Sequence, residues 1–171
     1  MDQSTLNGRL NEPDPGSENA NGRQGFITLG QFLTDDGWHP QPVEGHTAYH
    51  TYFRGRNGET HCFARVRSDL EQVMFYVMCP VKAPESAFAS TIEFITRANY
   101  GLRIGNFEFD YSDGEIRYKS SLDFEKIELT PQMIKNMIYP AVSTMDRYLP
   151  GLMGVMYGGK SAEEAIAEIE Q

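Results

Sequence analysis

The residues closest to a known catalytic pattern lie near the C-terminus, in the sequence GVMYGGKS. Gly154, Gly159, Lys160 and Ser161 match the G-x-x-x-x-G-K-[ST] pattern of a phosphate-binding loop. Such a loop works between a strand and a helix of a parallel sheet, and a later strand supplies the acidic magnesium partner. Here the pattern follows a helical stretch, and only ten residues remain after Ser161. We therefore interpret it as a glycine-rich turn between two helices.

The histidines cluster in one part of the sequence, which also contains Cys62. They are His39, His46, His50 and His61. Zinc needs three or four ligands that converge at about 2.0–2.3 Å. The hairpin register predicted below places His50 opposite Arg65 and His61 opposite Arg54, and it turns Cys62 to the other face. We therefore expect these side chains not to converge, and we predict no metal site and no cofactor.

No local pattern of residues predicts an enzyme. The sequence has no Gly-x-Ser-x-Gly elbow and no His-Glu-x-x-His helix. The acidic pairs 35–36 and 163–164 lie at predicted helix ends, where solvation or the helix dipole explains them. A catalytic triad assembled in space stays open at this point. The sequence nevertheless favours a non-enzymatic protein.

One candidate binding surface is a basic and aromatic hairpin face within residues 46–67. This segment has four arginines and a single glutamate, a local charge of +3. Arginine binds carboxylates and phosphates through its planar fork, and aromatic rings add stacking surface. The predicted anion-binding residues are Arg54, Arg65, Arg67, Tyr52 and Phe63. The alternative is an exposed sheet face that arginine keeps soluble.

A second candidate surface is a methionine-rich stretch of the last long helix. Five of the eight methionines lie there, namely Met133, Met137, Met145, Met153 and Met156. Flexible, polarizable side chains adapt to several partners, so such faces recur at protein-binding surfaces. Core packing is the commoner cause. We predict partner binding here because two prolines within the stretch argue against one straight core face.

The charge of the chain excludes several classes of protein. The 171 residues have 24 acidic and 15 basic side chains, a net charge of −9. Nucleic-acid binding and adsorption to anionic lipid both need clustered Lys and Arg, so neither is expected. No apolar run approaches the roughly 20 residues of a membrane-spanning helix. The start lacks the regions of a signal peptide, and two cysteines suggest no disulfide framework, so we expect a cytoplasmic protein.

The first 25 residues differ in composition from the rest of the chain. They contain four Asn, four Gly and two Pro, with Leu6 and Leu10 as the only large aliphatic residues. Such a segment buries too little apolar surface to offset its ordering entropy. We predict a disordered tail over residues 1–25 and a single domain over 26–171. Without the tail the charge is still −7, because 20 acids and 13 bases remain.

Two hairpins are predicted from turn dipeptides between β-rich runs. Asn57-Gly58 and Asp113-Gly114 are the residues that two-residue type I′ turns prefer. The first turn would pair Tyr52 with Phe63, and the second would pair Glu108 with Lys119 and Asp110 with Arg117. Residues 73–79 form an apolar run that predicts a third strand, either buried on both faces or central in the sheet.

Helices surround these strands. One is predicted from Phe26 to Gly37, and another begins at Pro84-Glu85. Thr130 and Pro131 start a long helical stretch, which Pro140 and Pro150 should kink or split. Ser161 and Glu164 form a capping box for a last helix. Since tight turns join antiparallel strands, the class is α+β with a five-stranded antiparallel sheet, in the order α-β-β-β-α-β-β-α plus an extra C-terminal helix.

Three stretches of this sequence resemble the YbjN family, bacterial proteins described as sensory transduction regulators. They are FLTDDGW (32–38), ITRANYGLRIGNFEFDYSDGEIRYKSSL (95–122) and LTPQMIKNMIYPAVSTMDRYLPGL (129–152). The resemblance covers residues from about 25 to 170. It implies the fold of type III secretion chaperones, usually dimeric, and it assigns no catalytic residues.

These observations predict a non-enzymatic, cytoplasmic, chaperone-like regulator. We expect it to form a homodimer and to bind a protein partner, with no nucleic acid and no membrane involved. The alternative function is a sensor that binds a small anionic ligand on the arginine-rich hairpin face. Thermal-shift screening with anionic metabolites separates the two, since Arg54→Ala or Arg65→Ala should abolish a genuine ligand shift.

Overall fold

A computed structural model of the chain describes residues 19–170, which form one antiparallel sheet with helices packed against it. The strands are β1 (Gln41–Pro42), β2 (Ala48–Arg54), β3 (Glu59–Arg67), β4 (Gln72–Met78), β5 (Asn106–Phe109) and β6 (Ile116–Asp123). The helices are α1 (Ala20–Asp35), α2 (Phe88–Gly101), α3 (Pro131–Tyr157) and α4 (Ala162–Glu170), with a 3₁₀ turn at Glu85–Ala87. The predicted α+β class and element order are confirmed.

The sheet has six strands in the order β1-β2-β3-β4-β6-β5. The predicted number of five is wrong because Gln41 and Pro42 pair with His50 and Tyr49 and extend the edge. Proline is tolerated at a sheet edge, where its missing N–H needs no partner. The third strand predicted over residues 73–79 is confirmed as β4. Of its two predicted alternatives the central position is the one observed, since β4 lies between β3 and β6.

One face of the sheet builds the hydrophobic core. Ala64, Phe75 and Tyr118 are fully buried on this face, and helix residues such as Leu29 and Ile138 pack against them. Side chains alternate across a strand, so the intervening residues point to the opposite side. We call that side the outer face; it comprises residues 41, 48, 50, 52, 54, 59, 61, 63, 65, 67, 72, 74, 76, 78, 106, 108, 117, 119, 121 and 123.

Helix α1 begins six residues earlier than predicted, so the boundary of the predicted tail at residue 25 is wrong. The Asn19 side chain caps the helix by accepting from the Gly22 N–H at 2.6 Å. The amides of Asn19 and Asn21 also donate to the Glu71 carboxylate, each at 2.6 Å. These bonds tie the first turn of α1 to the β3–β4 turn. They help to keep the Glu71 pKa below its ordinary value, with the Asn21 hydrogen bond as the largest cause. Residues 1–18 of the predicted tail lie outside the described residues.

Both predicted hairpin registers are wrong by two residues. Tyr52 pairs with His61 instead of Phe63, and Glu108 pairs with Arg117 instead of Lys119. The first turn is centred one residue earlier than predicted, on Arg56 and Asn57, because the Gly55 N–H donates to the Gly58 carbonyl. The second connection has four residues, because the Asp110 N–H donates to the Glu115 carbonyl. Because the shift is even, every side chain keeps its predicted face.

Helix α3 holds the first turn at its two central residues. The Asp146 carboxylate accepts from the backbone N–H groups of Arg56 (3.0 Å) and Asn57 (2.8 Å). The Asn57 side-chain amide donates to the Asp146 carbonyl at 2.9 Å. A β-carbon on Gly55 would lie 2.1 Å from the Asp146 carboxylate, so the turn depends on glycine for this approach. The sheet and helix are therefore joined at this point by polar contacts.

We expect Asp146→Ala to lower the free energy of unfolding by about 1–3 kcal/mol, because two backbone donors lose a charged acceptor. Urea unfolding followed by circular dichroism measures this change. Ser143→Ala is the control, since its exposed hydroxyl donates to the Tyr139 carbonyl one turn back, and it should change stability by less than about 0.5 kcal/mol. Equal effects of the two variants would contradict a role for Asp146 in holding the turn.

Helix α3 is continuous over 27 residues, so of the two effects predicted for its prolines, a kink or a split, the split is wrong. The Thr130 hydroxyl caps it by accepting from the Met133 N–H at 3.3 Å, as predicted. Burial along its length against the sheet stabilises the helix despite Pro140 and Pro150. The predicted capping box of α4 is confirmed, since Ser161 and Glu164 exchange hydrogen bonds.

Candidate interaction face

The phosphate-loop pattern lies in the turn between α3 and α4, as predicted. Gly154 is helical, and the Lys160 and Ser161 backbone follows the end of α3 rather than a strand. The Lys160 ammonium pairs with the Glu168 carboxylate on α4. The pattern is thus part of a helix–helix connection.

The predicted methionine set lies mostly inside the core. Met137, Met145 and Met156 are buried among the core residues, and Met133 packs partly against them. Met153 is the exposed member, at 37%. Partner binding by this set stays a prediction, which rests on Met153 and the accessible part of Met133.

The predicted anion-binding residues all lie on the outer face. Tyr52 is about half exposed, whereas Phe63 and Arg65 are 2% and 5% exposed. Arg54 pairs with Glu59 at 2.9 Å, and Arg67 pairs with Asp69 at 3.0 Å. These ion pairs offset part of the local positive charge. Anion binding by this set stays a prediction.

The expectation that the histidines do not converge is wrong for His50 and His61. Their ring nitrogens Nε2 and Nδ1 lie 3.0 Å apart, and the rings are stacked at 5.2 Å between centroids. The error follows from the register, because the observed pairing brings the two residues to adjacent positions. In residues 19–170, no group of three or more His, Cys, Asp or Glu side chains is arranged to hold a metal ion.

The histidine pair belongs to an aromatic cluster at the centre of the outer face. His50 stacks on Phe63 at 4.8 Å between centroids, and Tyr52 contacts both His50 (4.6 Å) and His61 (4.7 Å). Burial lowers the His50 pKa below its ordinary value of 6.5, and the neighbouring His61 charge lowers it further. The cluster therefore favours neutral His50.

This pKa shift predicts how stability depends on pH. Since unfolded His50 binds a proton more readily than folded His50, stability is lost as the pH falls from above 6.5 through the lowered pKa. We expect His50→Gln to reduce the loss of stability between pH 7.5 and pH 5, measured by urea unfolding at both values. The control is Ser143→Ala, which removes an exposed hydroxyl and no titratable group and should keep the pH dependence of the parent. The same pH dependence in His50→Gln and the parent would contradict the expectation.

Strands β4 and β6 add residues to this face that the sequence prediction missed. Tyr76 pairs with Phe63 and Lys119, and the Arg117 guanidinium lies 4.6 Å from the centre of the Tyr76 ring. Glu108 forms ion pairs with Arg117 at 2.7 Å and Lys119 at 3.5 Å. The alternation of residues 74, 76 and 78 within an apolar run was the sequence signal that could have placed β4 side chains on the outer face. The strands that pair with β4 come from distant parts of the chain, so no local pattern predicts the contacts between them.

The two cysteines are free thiols away from this face. Cys62 is fully buried in the core, and burial raises its pKa to about 12. Cys79 is partly buried, and burial raises its pKa to about 11. Both thiols therefore stay protonated and weakly nucleophilic at neutral pH.

A cleft of about 430 Å³ lies on the other side of the molecule, between α1 and the start of α3. Its lining includes the three acidic residues Asp35, Asp36 and Glu128. A hydrogen bond from Tyr139 lowers the Asp36 pKa and keeps that carboxylate charged. The cleft and the outer face therefore differ in both position and charge.

An antiparallel sheet with helices on one face and a terminal helix pair defines the class of the protein: it has the α+β fold of type III secretion chaperones. The chain belongs to the YbjN family, whose model, described as "Putative bacterial sensory transduction regulator", matches residues 28–153. The predicted family is therefore confirmed.

Three solved structures are similar to the chain. The ExsC-ExsE complex has a TM-score of 0.56 at 11% identity, over 77% of this chain and 95% of the other. YbjN from E. coli has a TM-score of 0.53 at 12% identity, over 78% and 90%. The HopA1-SchA chaperone-effector complex has a TM-score of 0.48 at 12% identity, over 80% and 98%. No curated protein matches the sequence. None of the described helices has the length and apolar composition needed to cross a bilayer.

Proposed function

We propose that this protein is a non-enzymatic, chaperone-like regulator in the cytoplasm that binds an acidic segment of a partner protein on its outer face. The observation that carries the proposal is the aromatic and basic cluster of this face, opposite the helices. ExsC is similar in fold and was solved in complex with ExsE, which supports protein binding by this fold. Nucleic acid and membrane are not part of the proposal.

The chemistry of the outer face favours an acidic, partly apolar segment. Its charged strand positions are five basic and three acidic: Arg54, Arg65, Arg67, Arg117 and Lys119 against Glu59, Glu108 and Asp123. Tyr and Arg are the residue types that most often supply binding energy at interfaces. Tyr52 is 51% exposed and Tyr76 is partly exposed, so both are available to a partner.

The proposal is tested by affinity capture from the native cell with a double variant, Tyr52→Ser with Tyr76→Ser. The parent should enrich a partner at least tenfold over this variant. The control is Tyr157→Ser, which removes a 56% exposed tyrosine from α3 on the helix side, and it should capture as the parent does. A synthetic peptide from the acidic segment of the captured protein must then bind the parent and not the double variant. Equal capture by all three proteins would refute the outer face as the site.

The homodimer is a further part of the proposal, and the β5 edge supports it. β5 is an outermost strand, so no strand within residues 19–170 pairs with one row of its backbone groups. Tyr100 and Ile104, just before β5, are 97% and 47% exposed. Sedimentation velocity should show a dimer that Ile104→Lys shifts toward monomer. A protein that stays monomeric at high concentration would contradict the proposed homodimer.

A small anionic ligand is the second candidate, and the specific observation in its favour is Arg65. This residue is buried beside the aromatic cluster, where a low dielectric strengthens a charge-assisted hydrogen bond. The thermal-shift screen with anionic metabolites is the test, and Arg65→Ala is the deciding variant. A shift that survives this substitution would exclude the outer face as the ligand site.

A further inference from the structure

The contact between His50 and His61 brings two potential metal ligands together. His50 Nε2 and His61 Nδ1 are 3.0 Å apart, the ring planes are inclined by 18°, and the ring centres are 5.2 Å apart. The ring centres are farther apart than the nitrogens by about one ring diameter, so both nitrogens lie close to the line that joins the two centres. The in-plane lone pairs of the two nitrogens therefore face each other.

A hydrogen bond now occupies this line, with one neutral ring as donor and the other as acceptor. A metal ion on the same line would accept a lone pair from each nitrogen. With bonds of about 2.0 Å to each nitrogen, the two nitrogens would be about 4 Å apart, so each ring has to move by about 0.5 Å. The donor ring would then carry its proton on its other nitrogen, and both rings would stay neutral.

The arrangement favours a monovalent soft ion over zinc. Cu(I) forms stable complexes with two donors in line, and imidazole is a good copper ligand. Zinc needs three or four ligands, and the part of the chain from 19 to 170 has no suitable group of three His, Cys, Asp or Glu side chains. The excess of basic residues on the outer face also opposes a dication more than a monocation.

The surroundings of the pair hold the rings and leave them accessible. β2 and β3 each have a strand on both sides, so the backbone of both histidines is fixed in the sheet. Phe63 stacks on His50 at 4.8 Å between centroids, and Tyr52 lies within 4.7 Å of both rings. Aromatic rings of this kind also attract a cation. Both histidines are partly exposed, so an ion can reach them.

We propose that His50 and His61 form a two-coordinate site for Cu(I), with the ion in line between His50 Nε2 and His61 Nδ1. The site needs no third protein ligand and no change in the strands. It does not depend on the proposed binding of a partner protein, so either one can fail without the other.

The first test adds Cu(I) without oxygen to the full-length chain, in competition with the chelator bicinchoninate. A Cys79→Ala background removes the partly exposed thiol, because thiolates bind Cu(I) strongly, and the remaining Cys62 is buried. This background protein should withdraw one equivalent of Cu(I) from the chelator. His50→Gln and His61→Gln should each weaken binding by at least about tenfold, since even the outer partners of a metal ligand contribute that much.

Met153→Leu in the same background is the control, because it removes an exposed soft donor from α3 on the helix side. It should bind Cu(I) as the background protein does. Zn²⁺ should bind the background protein at least about tenfold more weakly than Cu(I), because the site supplies too few ligands for it. Failure to bind Cu(I), equal affinity of the histidine variants and the background, or Zn²⁺ binding as tight as that of Cu(I) would each overturn the proposal.

The second test identifies the coordinating atoms by nuclear magnetic resonance of the ¹⁵N-labelled background protein. Ag(I) is the probe, since it has the charge and the linear coordination of Cu(I). The signals of His50 Nε2 and His61 Nδ1 should shift and be split by coupling to silver, whereas the other nitrogen of each ring should remain protonated. Splitting at those other nitrogens would overturn the proposal. A histidine pair that keeps its hydrogen bond in excess Ag(I) would overturn it too, because the contact would then be purely structural.

Discussion

Gly22→Ala is expected to lower the free energy of unfolding by about 3 kcal/mol, a large part of the roughly 5–15 kcal/mol typical of a domain. The added β-carbon would lie 2.0 Å from the Ser68 carbonyl oxygen and 2.6 Å from its carbonyl carbon. Both atoms are main chain, so no side-chain rotation relieves the overlap. Helix α1 would have to move away from the β3–β4 turn and stretch the hydrogen bonds from Asn19 and Asn21 to Glu71.

The matched control is Gly101→Ala at the end of α2, where a β-carbon would meet no atom within 4 Å. This variant should be neutral or more stable by up to about 1 kcal/mol, because alanine has the higher helix propensity. Urea unfolding followed by the fluorescence of Trp38 measures both. Ser68→Ala should not rescue Gly22→Ala, since it leaves the carbonyl in place. Equal stability of the two glycine variants would refute the close approach.

The start of α1 shows what the sequence alone could not predict. Gly22 and Gly25 reduce helix propensity, and they led to the prediction of a disordered tail. In the structure these glycines allow close packing on Ser68 and on the Phe124 ring. The Glu71 carboxylate that binds Asn19 and Asn21 is about fifty residues away in the sequence. Local composition carries no information about a contact of that kind.

The hairpins show why the faces of the sheet were predictable although the registers were not. A turn dipeptide fixes the register only if it forms the turn by itself, and here Asp146 holds the first turn from outside the hairpin. In the second turn, Asp110 accepts hydrogen bonds from Ser112 and lengthens the connection. Since both shifts are even, Tyr52 and Phe63 stay on the predicted face. The contact between His50 and His61 depends on the register itself and was therefore missed.

The residues of the outer face could be predicted only in part, because some of them join it through pairing between distant segments of the chain. The hairpin residues of the outer face follow from strand alternation within one segment. Tyr76 and Arg117 join it through the pairing of β4 with β3 and β6, which no local pattern specifies. The methionines of α3 were interpreted as a surface because two prolines were expected to break the helix. The continuous helix instead turns three of the five into the core.

Phe75 and Tyr76 are neighbours on β4 with opposite roles, and their substitution should separate folding from binding. Phe75 is fully buried, lies between Ala64 and Ser120 in the sheet, and contacts the edge of Trp38 at 6.0 Å between centroids. We expect Phe75→Ala to cost about 3–5 kcal/mol, the usual cost of a large cavity in a core. Partner capture should then fall only in proportion to the unfolded fraction.

Tyr76→Ser changes the adjacent residue on the outer face. It removes the contact between the Arg117 guanidinium and the tyrosine ring, which is worth about 0.5–1 kcal/mol at an accessible site. Urea unfolding should therefore show a change of at most about 1 kcal/mol, whereas affinity for the partner should fall at least tenfold. A Tyr76→Ser protein that unfolds as readily as Phe75→Ala would show that this face is structural. A stable Tyr76→Ser protein with full affinity would show that the partner binds elsewhere, because the ring lies at the centre of the proposed contact.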